Sequence, residues 1–136
     1  MTQPFVDVIL HGESGRVLEL RDLHLLDGGS TYQCLLVVRS DGFQLERLFW
    51  FEPFSLRTFL DALGQLDATL AGTAKLQPLH EDDYIQLRAT QGGHVVVSGE
   101  VHSDPQHLRF EFETDQSCVR PFVVTLQKAA QSSVAV

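Results

Sequence analysis

The chain predicts an α+β fold: a mainly antiparallel, twisted β-sheet of about seven to eight strands with two α-helices, near 56–71 and 117–130, packed on one face. Three observations carry this. Asp41-Gly42 sits between two apolar arms, residues 84–113 alternate polar and apolar positions in three consecutive runs, and two leucine-rich or valine-rich stripes recur at helical spacing. A sheet apolar on one face and helices apolar along one stripe bury those surfaces against each other, and a half-barrel or a split sheet satisfies the same pattern.

In chain order, residues 5–10 and 16–26 read as strands around a loop holding Gly12, Ser14 and Gly15. The inward parity shifts from Leu18 and Leu20 to Leu23 and Leu25, which predicts a bulge near Asp22. Residues 31–40 and 43–52 flank Asp41-Gly42, a pair suited to a type I′ turn because both central positions need positive φ. The second arm is apolar on both faces at Leu48-Phe49-Trp50-Phe51, which predicts a central strand covered twice.

From Pro53 the period becomes helical, with Leu56, Phe59, Leu60, Leu63, Leu66 and Leu70 on one stripe. Ser55 suits the N-cap, Phe54 and Phe59 a hydrophobic staple, and Gly72 a left-handed stop. Strands at 84–90, 94–102 and 107–113 follow. The loop Gln91-Gly92-Gly93 pairs Ala89 with Val95, Leu87 with Val97 and Ile85 with Gly99. The loop Ser103 to Gln106 pairs Val101 with Leu108, Gly99 with Phe110 and Val97 with Phe112. Both registers turn the same residues of the middle strand inward. After Asp115 the stripe Val119, Phe122, Val123, Leu126 and Ala129 marks the second helix, begun near Ser117 because Pro121 belongs in a first turn. Residues 1–136 read as a single domain, with 131–136 a frayed tail.

The bulk numbers narrow the partners. With 136 residues, 43% hydrophobic composition, a net charge of -8 and a pI near 5.0, the chain has an ample core and lacks the basic surface through which nucleic acid or anionic membrane is bound. Residues 1–10 lack a basic n-region, and Asp7 interrupts their apolar run, so no secretory signal is expected. Cys34 and Cys118 do not make a disulfide framework, and a cytoplasmic, reduced location is expected.

Candidate chemical groups read as structural. His102 and His107 face each other across a hairpin with Asp104 between them, but two imidazoles without a rigid third donor do not make a zinc site, and no metal is expected. The run His80-Glu81-Asp82-Asp83 lacks the spacing of a calcium loop. Glu111 and Glu113 lie about 7 Å apart on one strand face, a common arrangement on an exposed strand. Cys118 at a helix start has no companion base, and the Gly28-Gly29 and Gly92-Gly93 pairs are turn residues. No cofactor and no catalytic group are expected. Tyr32 and Trp50 could line a pocket between sheet and helix, leaving a small-molecule or adaptor module open beside a protein-binding one.

Three segments resemble the WapI-type immunity proteins of bacterial polymorphic-toxin systems. They are the helix end Leu70-Ala71-Gly72-Thr73-Ala74-Lys75-Leu76, the strand Gly93-His94-Val95-Val96-Val97-Ser98-Gly99, and Leu108-Arg109-Phe110-Glu111-Phe112-Glu113-Thr114-Asp115-Gln116-Ser117. The matching positions are scaffold. The chain departs from the family where Tyr32 or Gln33 stands in place of a Trp, and where Ser117 stands in place of a Thr. The resemblance implies a non-catalytic bacterial protein that binds and blocks a co-produced toxin. An acidic chain suits a basic toxin domain. The exposed meander face, with Tyr84, Glu100, Glu111 and Glu113, is the expected partner-binding surface.

Overall fold

A computed structural model describes residues 5–134, with side chains through Gln131. The chain runs β1 (Val6–His11), β2 (Val17–Leu25), β3 (Tyr32–Ser40), β4 (Phe43–Phe51), α1 (Pro53–Thr69), β5 (Thr73–Leu76), β6 (Tyr84–Ala89), β7 (His94–Ser103), β8 (Gln106–Asp115) and α2 (Gln116–Val134). Two short 3-10 turns, Glu13–Gly15 and Gln91–Gly93, close the β1-β2 and β6-β7 connections. The eight strands form two antiparallel four-stranded meanders, β1-β2-β3-β4 and β5-β6-β7-β8. The α+β class and both helices are as expected from the sequence, with the strands divided between two sheets.

The predicted bulge is present: pairing of β2 with β3 breaks between Arg21 and His24, and Asp22 takes φ 53°. Asp7 accepts a hydrogen bond from the Asp22 amide at 2.9 Å, holding the unpaired residue in place. All six predicted cross-strand pairs of the second meander are observed. Val97, Val101, Phe110 and Phe112 are buried, and Glu100 faces Arg109 on the outer side, 3.4 Å apart.

Other local expectations are corrected. β4 is an edge strand, not a central one, and its outward Leu48 and Trp50 are each 45% exposed. Helix α1 starts one turn early, with Glu52 as N-cap and Pro53 in its first turn, where a missing N–H costs nothing. Ser55 is thereby inside the helix and buried. Its hydroxyl donates to the Glu52 carboxylate at 3.1 Å, and that carboxylate also accepts the Leu79 amide at 2.8 Å. Phe54 is exposed and forms no staple over buried Phe59. Leu70, not Gly72, takes the left-handed cap, with its amide on the Leu66 carbonyl at 2.8 Å. The short strand β5 was missed because its four residues, between Gly72 and Pro78, are too few to establish a period. Helix α2 extends through Val134, past the expected boundary at 130; residues 135–136 of the expected frayed tail lie outside the described residues.

One hydrophobic cluster joins both sheets and both helices, with Leu18, Leu36, Phe51, Phe59, Ile85 and Phe122 among its members. Besides this shared core, two distant specific contacts tie the second sheet to the first. Near one end of β8, the Thr114 hydroxyl donates to the His11 carbonyl at 2.6 Å, and the Phe112 ring lies over Gly12, where a Cβ would stand 2.4 Å from the ring. At the other end, Arg47 of β4 donates to the His102 carbonyl at 2.5 Å. Strand β8 therefore crosses the first sheet from its β1 edge to its β4 edge.

Two expected outcomes follow from local geometry. A Cβ at Gly99 would stand 2.5 Å from the Phe110 ring and 2.6 Å from the Tyr84 carbonyl oxygen, so Gly99→Ala overpacks the second sheet and should cost about 1–3 kcal/mol, read as a lower denaturation midpoint. Gly64, inside α1 with nothing within 4 Å of its would-be Cβ, is the control: Gly64→Ala should stabilise by about 0.5–1 kcal/mol. The second outcome concerns Asp115. Its carboxylate accepts the Ser117 amide at 2.8 Å and the Ser117 hydroxyl at the start of α2, and these bonds hold its pKa below the ordinary value. A depressed folded pKa means that the unfolded chain binds the proton more readily. The cap's contribution is thus present above about pH 4 and is lost as pH falls through the folded pKa. Asp115→Asn should be less stable than the parent at pH 7, and the gap in urea midpoint should shrink steadily toward pH 3.

Candidate functional site

The outer face of the second sheet is set by strand alternation. Val95, Val97, Gly99 and Val101 point inward on β7, so Val96, Ser98, Glu100 and His102 point out. On β8 the buried Phe110 and Phe112 leave Arg109, Glu111 and Glu113 outward. Pairing then places Tyr84 beside Glu100, Glu100 beside Arg109, Ser98 beside Glu111 and Val96 beside Glu113. The four residues selected from the sequence, Tyr84, Glu100, Glu111 and Glu113, share this face. Lys75 Nζ lies 4.3 Å above the Tyr84 ring. Glu111 and Glu113 are exposed, while Glu100 is half-buried between Arg109 and His107, its carboxylate 3.5 Å from His107 Nε2.

At the hairpin mouth the imidazoles of His102 and His107 stack, with centroids 4.4 Å apart and planes within 7°. The fold adds two groups that the sequence did not associate with them. Asp83, just before β6, accepts the His102 amide at 2.8 Å and contacts His102 Nδ1 at 2.8 Å. Its carboxylate thus continues the β6-β7 ladder one step beyond the last paired residue of β6. Arg47 lies 3.6 Å from the other Asp83 oxygen while it holds the His102 carbonyl. The hydrogen bond that His102 Nδ1 donates to the Asp83 carboxylate raises the His102 pKa above its ordinary value. Glu100, His102 and His107 each present a donor atom within 4.8 Å of the others.

Beside this mouth lies a groove of about 630 Å³ between the β4 edge and the β7-β8 hairpin, lined by Leu45, Leu48, Trp50, Val101, His107 and Leu108. Trp50 Nε1 donates to Gln33 Oε1 at 2.8 Å, which fixes the indole on the outer face of β4. A smaller recess of about 160 Å³ continues along β4 against Pro78, Leu79 and Asp83. Leu48 and Trp50 were expected to be covered, and their exposure follows from the edge position of β4. Tyr32 is a core residue stacked on Phe51. The outer face and groove offer charge, an exposed indole and apolar walls, a combination suited to recognition of another surface.

Other candidates from the sequence lie apart from this face. Cys34 is buried, and burial pushes its pKa up to about 12, so the thiol stays protonated. Cys118 is half-buried in the first turn of α2, and both cysteines are free. His80 is exposed at φ 63°. Of the two polar clusters flagged in sequence, Asp83 from one joins His102 and His107 from the other.

The family model of the WapI-like immunity proteins matches residues 12–132, nearly the whole chain. The chain belongs to this family. As a member it is an immunity-type protein, and the matched span contains all of the outer face and the hairpin mouth. No curated protein matches the chain. Solved structures that share its fold include the following two. MRP1/MRP2 of a trypanosome align at a TM-score of 0.61 and 9% identity, covering 99% of this chain and 88% of that one. The plant transcriptional regulator PBF-2 aligns at a TM-score of 0.60 and 7% identity, covering 98% and 85%. At such identities the likeness concerns the fold alone. Among the described residues no helix is long and apolar enough to cross a membrane.

Proposed function

We propose that this immunity-type protein neutralises a co-produced toxin of a bacterial polymorphic-toxin system by binding it, in the cytoplasm and without catalysis. The observation that carries the reading is the family match over residues 12–132. The net charge of -8 supports a basic toxin domain as the partner rather than nucleic acid or membrane. No cofactor is needed for a mechanism of occlusion.

The docking surface is the outer face of the second sheet. Tyr84, Glu100, Glu111 and Glu113 share that face, and the groove bearing Leu48 and Trp50 lies beside its hairpin end. Exposed carboxylates accelerate encounter with a basic partner, while affinity concentrates in a desolvated aromatic or apolar anchor. Trp50, 45% exposed and oriented by Gln33, suits that anchor. The groove also supports a second reading, an adaptor or small-molecule module that takes an apolar ligand beside Trp50.

The test is a binding-rate measurement against the toxin domain encoded in the neighbouring reading frame. Reversing Glu111 and Glu113 to Lys should slow association roughly three- to tenfold at low ionic strength, with the difference shrinking as salt rises. Unchanged rates would move the surface to the loops at Gly28–Ser30 or His80–Asp83. Absence of binding at micromolar concentration would refute the toxin-neutralising reading.

A further inference from the structure

We propose that the β7-β8 hairpin mouth binds one zinc-class divalent transition-metal ion through His102, His107 and Glu100. In sequence, the two histidines lacked a third donor. Antiparallel pairing supplies it: Glu100 is two residues before His102 on the same outward face, and its carboxylate already lies 3.5 Å from His107 Nε2. The three donors lie within 4.8 Å of one another. Around a tetrahedral zinc, nitrogen and oxygen ligands about 2.0–2.1 Å from the ion stand roughly 3.4 Å apart. The two imidazoles are stacked, so binding requires the His107 ring to tilt out of the stack until both lone pairs converge on the ion; His107 is exposed and has room for that rotation.

Three further features favour a metal over a chance cluster. Asp83 engages His102 Nδ1, which leaves Nε2 as the donor and reproduces the carboxylate–imidazole pairing that orients metal-bound histidines. Arg47 anchors the same assembly by holding both the His102 carbonyl and Asp83, so the second shell is tied to the first sheet. The cation paired with the donor carboxylate, Arg109, has a side chain 74% exposed and can leave Glu100 for solvent.

Two imidazoles and one carboxylate form a borderline-soft donor set that selects zinc or its neighbours over magnesium and calcium, which take oxygen ligands. With three protein donors at the surface, the fourth position is open to water. The ion would also offset the carboxylate of Glu100 and change the charge of the outer face near Trp50. The proposal does not depend on the toxin-neutralising reading.

The experiment uses untagged full-length protein stripped with chelator and titrated with zinc chloride in a calorimeter, with cobalt(II) absorbance as a second readout. The expected result is one ion per chain and visible cobalt bands of four-coordinate intensity. His102→Ala and His107→Gln should each abolish the cobalt bands, while Asp83→Asn should keep the stoichiometry and weaken affinity about 10–100-fold. The metal-free variants should melt with the parent's cooperativity, which separates loss of the site from loss of the fold. No zinc uptake at 100 μM or roughly that level would overturn the proposal, as would uptake unchanged in the His102 and His107 variants, or magnesium binding as tight as zinc.

Discussion

Strand β8 lies across the first sheet, and that crossing is the contact on which the rest of the structure depends. Each four-stranded meander has one apolar face, and neither buries it within its own layer. The Phe112 ring occupies the space above Gly12 that any side chain would fill, and Thr114 and His11 share a hydrogen bond alongside. With that end fixed, Phe110 and Phe112 complete the shared core, and the far end of β8 reaches the β4 edge where Arg47 meets the hairpin. Close approach at a glycine thus determines where the outer face of the second sheet sits.

From that placement follow both the groove and the hairpin mouth. Were β4 the covered central strand that its composition suggests, Leu48 and Trp50 would be core residues. As an edge strand beside a crossing sheet it presents them to solvent, next to His107 and Leu108. The carboxylates of the outer face and this apolar groove are adjacent because β7 and β8 carry one and border the other. On the proposed toxin-neutralising reading, charge serves rapid encounter with the partner and a desolvated anchor serves its retention.

Much of this architecture was legible in local sequence. The parity switch after Leu20 marked the bulge at Asp22, and two independent hairpin registers agreed on the inward set of β7, because strand alternation is strict when one face is buried. The outer-face residues followed directly. What local pattern could not supply was the relation between distant segments. An apolar strand such as β4 looks the same whether a sheet continues beyond it or ends there. Arg47 and His102 are separated by 55 positions and lie in different sheets, so their meeting depends on the sheet crossing, whereas Asp83 meets His102, 19 positions away, by extending the β6-β7 ladder. The Ser55 cap failed for a different reason: Pro53 already suits the first turn, and Glu52 is held outside the helix by Ser55 and Leu79.

The crossing is tested most directly by a double-mutant cycle between Gly12 and Phe112, read by denaturant unfolding. Gly12→Ala alone should destabilise the protein by about 1–3 kcal/mol, because the Cβ drives into a buried ring. In a Phe112→Leu background the ring is gone, and the same change should cost markedly less, giving a coupling of about 1 kcal/mol or more. Strict additivity would contradict the account, since it would mean that the two residues do not touch and that β8 is held over the first sheet by some other contact.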